Sequence, residues 1–177
     1  MDDADAYRRK HKEYAELRQL FYSMLQVRLL ALTGLSVRAT ELLPSLIYET
    51  ENWQNRRVEW DWSELRSEFG GYPARFELAL CVGEVLCTLA VGRPSKGKRY
   101  MKLYYLEGNP DLEHPLKGSV LTSILEGFEL YAAMLNCSVA RLISPLDGVI
   151  PLYEAAGYSL AEGKHQQLYY EKPVKRS

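Results

Sequence analysis

The chain has 177 residues, of which 47% are hydrophobic and 25% are charged, and its formal net charge is −1. This length and composition predict one soluble globular domain, residues 1–177, and the near-neutral charge argues against a general binder of nucleic acid or membrane surfaces. There is no run of about 18 apolar residues to span a membrane and no apolar signal segment at the N-terminus. We therefore expect a cytoplasmic protein.

The cysteines and histidines are few and scattered. None of them has the spacing of metal ligands, so we expect no metal site. Two of the cysteines lie in apolar runs, which predicts buried free thiols in a reducing compartment. These residues are Cys81, Cys87, Cys137, His11, His114 and His165.

The first third of the chain has a helical pattern. No Gly or Pro occurs from Asp5 to about Leu32, and apolar residues recur at three- and four-residue steps. Gly34 predicts the end of this long helix.

Two further helices are predicted before residue 73. One runs from about Ser36 to Glu51, where Pro44 breaks or kinks it, and a short one spans Asp61 to Phe69. The first 60 or so residues therefore predict no strand.

The pattern changes to strands after this region. Arg75–Val82 and Val85–Val91 are apolar runs separated by Gly83 and Glu84, and a Gly at the first loop position favours a type II′ hairpin. A polar loop, residues 92–99, leads to a third predicted strand, Tyr100–Leu106.

The last third predicts a helix and a second set of strands. An amphipathic helix opens at Gly118, and Val139–Ile143 reads as a buried strand. A short helix at Ile150–Ala156 precedes a hairpin of Tyr158–Ala161 with Gln166–Lys172. This order predicts an α/β or α+β sheet with one right-handed crossover through the long helix.

Three features of the chain resemble the GNAT N-acetyltransferase superfamily, and the resemblance covers about 100 of the 177 residues. Leu152 to Tyr158 (LYEAAGY) is similar to the family's late motif, in which a Tyr is followed by three variable positions, a Gly and an aromatic residue. Lys117 and Gly118 stand where the family has its pyrophosphate loop. The 35 residues from Gly118 to Tyr153 match the usual distance between the two motifs.

The resemblance implies a GNAT-like mixed central sheet with a long crossover helix. Here an atypical helical N-terminal region, residues 1–72, would precede an acyl-coenzyme A-binding core, residues 73–177. Backbone N–H groups at a helix N-terminus suit a pyrophosphate, and the strand before that helix would hold the pantetheine arm. The coenzyme-binding residues that the resemblance implies are Tyr105, Leu106, Lys117, Gly118, Ser119 and Val120.

The family's chemistry implies transfer of an acetyl group from acetyl-coenzyme A to a primary amine of a small molecule or protein. By the LYEAAGY match, Tyr153 would protonate the leaving thiolate. Glu107 is the candidate general base, directly or through water, and His114 is an alternative that we expect to be an exposed loop histidine. Glu77 and Glu84 are weaker candidates on the hairpin.

Two departures from the family pattern leave a second function open. Pro115 stands where the family has Gln or Arg, and Val120 stands where it has Gly or Ala. A β-branched side chain at that turn would crowd the phosphate path. The alternative is a catalytically degenerate GNAT fold that acts as a binding or regulatory module through protein–protein contacts.

Three groups of residues lie outside these motifs. Trp53, Trp60 and Trp62 would line an acceptor pocket or, as we favour, pack as core. The partly apolar N-terminal helices would form a homodimer surface. Basic residues in one loop and in the tail are either solvated charges or attract an acidic partner or nucleotide phosphate; they are Arg93, Lys96, Lys98, Arg99, Lys172, Lys175 and Arg176.

Overall fold

A computed structural model describes residues 2–161 and 168–176 of the chain. Helix α1 spans Asp3–Thr33, as the sequence predicts. The Asp2 side chain accepts a hydrogen bond from the N–H of Ala4, and Gly34 ends the helix in the left-handed conformation with φ 73°.

Polar contacts hold the second half of α1 against the sheet. The Arg18 guanidinium donates to the carbonyl of Pro73 at 2.7 Å, and the Tyr22 hydroxyl donates to the carbonyl of Glu77 at 2.8 Å. In the same half of the helix, Phe21, Leu25 and Leu29 are completely buried. The helix therefore forms one wall of the core and is not an appendage.

The predicted helix from about Ser36 to Glu51, broken or kinked at Pro44, is wrong before Pro44, where the chain forms a strand. Strand β1 spans Val37–Thr40, and helix α2 spans Pro44–Glu51, with Pro44 in its first turn. Proline suits that position, because the first N–H groups of a helix have no partner inside the helix. A four-residue strand is too short to show a period, and only its pairing with the neighbouring strand defines it.

The next elements match the prediction closely. Helix α3 spans Trp62–Gly70, and its N-cap Asp61 accepts a hydrogen bond from the N–H of Glu64 at 3.0 Å. Strands β2, Phe76–Val82, and β3, Val85–Pro94, form the predicted antiparallel hairpin. Gly83 in its turn has φ 58°, as a type II′ turn requires at this position.

The predicted crossover is confirmed as a parallel pair joined by a helix. Strand β4, Tyr100–Gly108, leads through helix α4, Val120–Met134, to strand β5, Val139–Ile143, and β4 and β5 are parallel. The helix begins two residues after Gly118, because Gly118 has φ 83° and stands in the preceding turn.

The chain ends with a short helix and a hairpin. Helix α5 spans Ile150–Ala155 after one turn of 3₁₀ helix, and strands β6, Ser159–Ala161, and β7, Tyr169–Pro173, are antiparallel. The last strand was predicted to begin at Gln166; residues 166 and 167 lie outside the described residues.

Within the described residues, these seven strands form one mixed sheet in the order β1-β2-β3-β4-β5-β7-β6. Side chains from α1, α4 and α5 pack with one face of the sheet, and side chains from α2 and α3 pack with the other. This confirms the predicted mixed sheet with a long crossover helix. The edge strand β1 also ties the helical N-terminal region into the same sheet as the later residues.

Candidate active site

The two parallel strands at the middle of the sheet separate before they end. Their pairing stops at Leu103 and Leu142, whereas β4 continues to Gly108 with only β3 beside it. The register with β3 shifts at this place, which leaves Tyr104 as an extra residue of a β-bulge. Because a bulge bends its strand, β4 turns away from β5 and a cleft opens between them.

The cleft exposes unpaired main-chain groups of β4. Asn109 donates its N–H to the carbonyl of Cys87 on β3 at 2.8 Å. In an antiparallel strand, the main-chain N–H and C=O groups of successive residues point alternately to the two neighbouring sides. Glu107 and Tyr105 therefore also turn their main-chain groups toward β3. Leu106, between them, therefore turns its N–H and C=O toward the cleft.

The cleft contains a cavity of about 670 Å³, and most of the predicted site residues line it. Its wall contains the predicted catalytic pair and five of the six predicted coenzyme-binding residues; Ser119 is not in the wall. The predicted residues that line it are Tyr105, Leu106, Glu107, Lys117, Gly118, Val120 and Tyr153, together with His114. Residues that are far apart in sequence thus meet at one site.

The N-terminus of α4 presents free donors to this cavity. The N–H of Ser119 is bonded to the carbonyl of Leu116, and Ser119 makes no side-chain cap. The N–H groups of Val120, Leu121 and Thr122 have no partner inside the helix. These donors and the helix dipole favour an anion next to Gly118.

Val120 packs across the end of β4. A methyl group built on Gly108 would lie 3.5 Å from Cγ1 of Val120. The β-branched side chain therefore rests on a glycine, where there is room for it. Whether it crowds a bound pyrophosphate stays a prediction.

Tyr153 lies in α5 and points to the core and the cavity. It is 5% exposed, and its ring lies 6.2 Å from that of Tyr158 in an edge-on arrangement. Burial raises the pKa of Tyr153 to about 12, so the phenol is protonated at neutral pH. Its hydroxyl makes no hydrogen bond to another residue in the described part of the chain, which leaves it free to donate to a ligand.

Two side chains from the N-terminal region hold Glu107 with three hydrogen bonds. The Arg56 Nε donates to Oε2 at 2.7 Å, the Arg56 Nη2 donates to Oε1 at 2.7 Å, and the Trp62 Nε1 donates to Oε1 at 2.8 Å. The carboxylate raises the pKa of Arg56 through these hydrogen bonds. Three donors occupy a group with about four acceptor positions, which leaves one for water.

His114 is buried, and the expectation of an exposed loop histidine is wrong. It is 7% exposed, and its Nδ1 accepts the N–H of Leu116 at 3.2 Å. Burial lowers the pKa of His114, so the ring is neutral at pH 7. Because Nδ1 is an acceptor, the proton is on Nε2, and the ring is a hydrogen-bond donor.

The weaker carboxylate candidates are not at the cleft. Glu77 is buried and pairs with Arg75 at 2.9 Å, and neither residue lines the cavity. Glu84 is exposed in the hairpin turn.

The tryptophans divide between pocket and core. Trp62, the first residue of α3, is 1% exposed and belongs to the core, as favoured. Trp60 lines the cleft, and its ring centre lies 5.1 Å from that of Tyr105. Trp53 lines a neighbouring cavity of about 510 Å³.

Sequence reasoning missed Arg56 because it lies in an irregular loop, far in sequence from its partner. The two arginines that follow Asn55 offered a signal, but nothing in the sequence indicates which one turns inward.

The comparisons with solved structures identify the fold. The chain adopts the GNAT acetyltransferase fold, at low sequence identity to its structural neighbours. Ard1 from Thermoplasma volcanium has a TM-score of 0.60 at 13% identity, over 79% of this chain and 99% of that one.

Two further acetyltransferases show the same likeness. The ribosomal-protein-S18-alanine N-acetyltransferase from Escherichia coli has a TM-score of 0.57 at 14% identity, over 80% and 96% of the two chains. The spermidine/spermine N-acetyltransferase SpeG from Vibrio cholerae, in complex with manganese ions, has 0.56 at 16%, over 78% and 92%. No family model and no curated protein sequence matches the chain.

Two structural absences concern the described residues alone. Within residues 2–161 and 168–176, no helix is long and apolar enough to cross a membrane. Over the same ranges, no three His, Cys, Asp or Glu side chains are grouped so that they could hold a metal ion.

Proposed function

We propose that the protein is an N-acetyltransferase that moves an acetyl group from acetyl-coenzyme A to a primary amine of a small molecule or protein. The observation that carries this proposal is the single cavity between β4 and β5. It brings together an unpaired strand edge, the free N–H groups of α4 and the phenol of Tyr153. The structural neighbours named as N-acetyltransferases support the same chemistry.

The described residues fit the coenzyme. Its pyrophosphate would bind at Gly118 and the first N–H groups of α4, with Lys117 adding a positive charge. The pantetheine arm would lie along Tyr105 and Leu106, where the main chain of β4 faces the cleft. A cavity of about 670 Å³ is within the range of pockets that bury small ligands.

In the reaction, the neutral amine attacks the thioester carbonyl to form a tetrahedral intermediate. The C–S bond then breaks, the acetyl group stays on nitrogen and the thiolate leaves. The N–H of Leu106, which faces the cleft, would stabilise the oxyanion. Tyr153 gives its proton to the thiolate, and the proton of the ammonium passes to Glu107 through a water at its remaining acceptor position.

A thermal-shift titration with acetyl-coenzyme A and free coenzyme A tests the binding step. A ligand that binds only the folded state must raise the apparent Tm, and we expect a rise of several degrees at saturation. Gly118→Val would place a β-branched side chain at φ 83° and abolish the rise. Gly97→Val, in an open surface loop, is the matched control.

Release of free thiol with a panel of amines tests the transfer itself. The panel includes spermidine, which is the amine named for one structural neighbour, and peptides with free N-termini. Coenzyme binding without thiol release from any amine would overturn the transferase and leave a coenzyme-binding module. No thermal shift at millimolar coenzyme would overturn both.

A further inference from the structure

Three positively charged residues form a row across the middle of the sheet. Arg93 on β3 is the register partner of Lys102 on β4, and Lys102 is the register partner of Arg141 on β5. Adjacent strands lie about 4.8 Å apart, so the backbone positions of the row span about 10 Å. Glu171 on β7 follows as the register partner of Arg141.

All three side chains lie on the face of the sheet that carries α2 and α3. The neighbours of Lys102 in β4, Met101 and Leu103, are buried with α1 and α4, so Lys102 points the other way. Ala140 and Leu142 are buried in the same manner, which places Arg141 on the face of Lys102.

Arg93 is placed on this face by its contacts. Its guanidinium lies 4.1 Å from the ring centre of Tyr72, the residue two positions after the end of α3. The same guanidinium lies 5.6 Å from the ring centre of Tyr104.

The row has more positively charged side chains than carboxylates to pair with them. Arg141 pairs with Glu171, whereas neither Arg93 nor Lys102 has an ion pair within residues 2–161 and 168–176. Burial, followed by the charges of Arg141 and Arg93, lowers the pKa of Lys102. Like charges directly opposite one another destabilise a sheet, so the arrangement costs stability unless an anion binds to it.

Aromatic rings hold the outer cations in place. The Arg141 guanidinium lies 3.8 Å from the ring centre of Tyr100 and 4.6 Å from that of Tyr169, on either side of the row. With Arg93 fixed on Tyr72, the two guanidinium groups are preorganised, and Lys102 stands between the two arginines in the strand register. Such a set of planar and point donors suits a carboxylate or phosphate.

The row is next to the cleft, on the face of the sheet that carries α2 and α3. Tyr104 both lines the cavity and stands beside Arg93, and it is two residues, or about 7 Å, from Lys102 along β4. The loop that holds Trp60 reaches the cavity from this same face. An amine in the cleft would therefore place a group about 7–10 Å away at the row.

We propose that Arg93, Lys102 and Arg141 form an anion subsite that selects an amine acceptor bearing a carboxylate or phosphate. This inference rests on the proposed transferase function, because it names the acceptor class of that site. The subsite disfavours polycationic amines such as spermidine, which would meet the row with like charge.

Binding tests the subsite independently of turnover. The probe is a fluorescent peptide with three glutamates and an acetylated N-terminus, which cannot accept another acetyl group, titrated in the presence of saturating coenzyme A. We expect Lys102→Gln to weaken binding about tenfold, since a lost charge-assisted contact has about that effect. Lys96→Gln removes the same charge from an exposed loop position and should leave the Kd unchanged.

Turnover tests the acceptor class. Peptides with a free N-terminal alanine followed by glutamates, by a phosphoserine or by glutamines separate carboxylate, phosphate and neutral acceptors. We expect kcat/KM to be about tenfold higher for an anionic peptide than for the neutral one, through KM, and the preference to vanish in Lys102→Gln. If the Tm of Lys102→Gln is equal to or higher than that of the wild type, the variant is folded.

The outcomes separate the two proposals. Equal rates with anionic and neutral peptides, unaffected by Lys102→Gln, overturn the subsite and leave the transferase standing. Lys102-dependent peptide binding without turnover of any amine supports the subsite and overturns the transferase. Peptide binding that is equal in Lys102→Gln and Lys96→Gln overturns the subsite in either case.

Discussion

The two candidate catalytic side chains line one cavity in contrasting environments. Tyr153 is buried among apolar groups with a free hydroxyl, whereas the Glu107 carboxylate accepts three hydrogen bonds from Arg56 and Trp62. The phenol is thus suited to give a proton to a ligand. The carboxylate is suited to hold the loop of Arg56 against β4, in addition to any role in proton transfer.

We expect Tyr153→Phe to lower kcat by about 10²-fold or more, because general acid catalysis contributes about that factor. The substitution removes only a hydroxyl that has no partner in the described chain, so the Kd of acetyl-coenzyme A should change less than twofold. Thiol-release kinetics and a binding titration measure the two quantities. An unchanged kcat would remove Tyr153 from the proposed role.

The raised pKa of Tyr153 also predicts a loss of stability in alkali. Its folded pKa is about 12 and the ordinary value is 10.0, so the folded state keeps the proton more tightly. This contribution is complete below pH 10 and is lost as the pH rises toward 12. Between pH 8 and pH 11 the free energy of unfolding of Tyr153→Phe should fall by about 1 kcal/mol less than that of the wild type.

Urea unfolding at the two pH values measures this difference. Tyr7→Phe is the control, since Tyr7 is 53% exposed. An equal fall in the wild type and in Tyr153→Phe would show that burial does not hold the proton on this phenol.

The ion pair of Arg56 and Glu107 gives a third prediction. Removing one partner of a buried pair leaves the other charge without compensation, so Glu107→Gln and Arg56→Met should each destabilise the fold by about 3 kcal/mol. The double variant should be no less stable than either single one. Chemical unfolding of the four proteins measures the coupling free energy.

Turnover by the same variants separates positioning from proton transfer. If Glu107 acts as the base, Glu107→Gln loses kcat and Arg56→Met retains most of it. Equal losses of kcat in the two variants would contradict the role of Glu107 as the base, and Glu107 would then be a positioning residue.

At the scale of elements, the bulge in β4 decides whether there is a cleft. The extra residue Tyr104 lies next to a close approach of β3 and β4, since a methyl group on Gly92 would lie 2.0 Å from the carbonyl oxygen of Lys102. Only a residue without a side chain allows that approach. Gly92 therefore belongs to the geometry of the cleft, although it does not line the cavity.

We expect Gly92→Ala to push β3 from β4 and lower the free energy of unfolding by about 1–3 kcal/mol, as overpacking of a tight contact does. Coenzyme binding should weaken as well, because the cleft follows the bulge. Gly97→Ala, with open space around it, is the control for both measurements. A neutral Gly92→Ala would show that the strands can separate without cost.

At the scale of the molecule, α1 has apolar side chains both on its buried face and on an exposed face. Phe21, Leu25 and Leu29 are completely buried, while Leu20, Met24 and Val27 on another face are 37–72% exposed. Together these positions make a helix that is apolar on more than one side, which is typical of a helix with a partner.

The homodimer through the N-terminal helices stays a prediction. We expect sedimentation equilibrium to give a dimer for the wild type and a monomer for Val27→Glu, because a charge on that face opposes burial. Glu16→Lys, on the exposed N-terminal half of α1, is a control for a change of charge alone. A wild-type monomer at all concentrations would contradict the prediction.

The sequence by itself determined most of the elements and the identity of the fold. The long helix ending at Gly34, the hairpin at Gly83 and the crossover from β4 to β5 follow from local periodicity and turn chemistry, which act over a few residues. The spacing of Gly118 and Tyr153 predicted the candidate site, and both residues line the same cavity.

Only the tertiary structure decided the rest. Strand β1 exists because β2 offers it a partner, and four residues carry too little pattern to show this. The burial of His114 and the pairing of Arg56 with Glu107 depend on the packing of segments that are far apart in sequence. The row of Arg93, Lys102 and Arg141 likewise arises from strand register, which the chain acquires only when it folds.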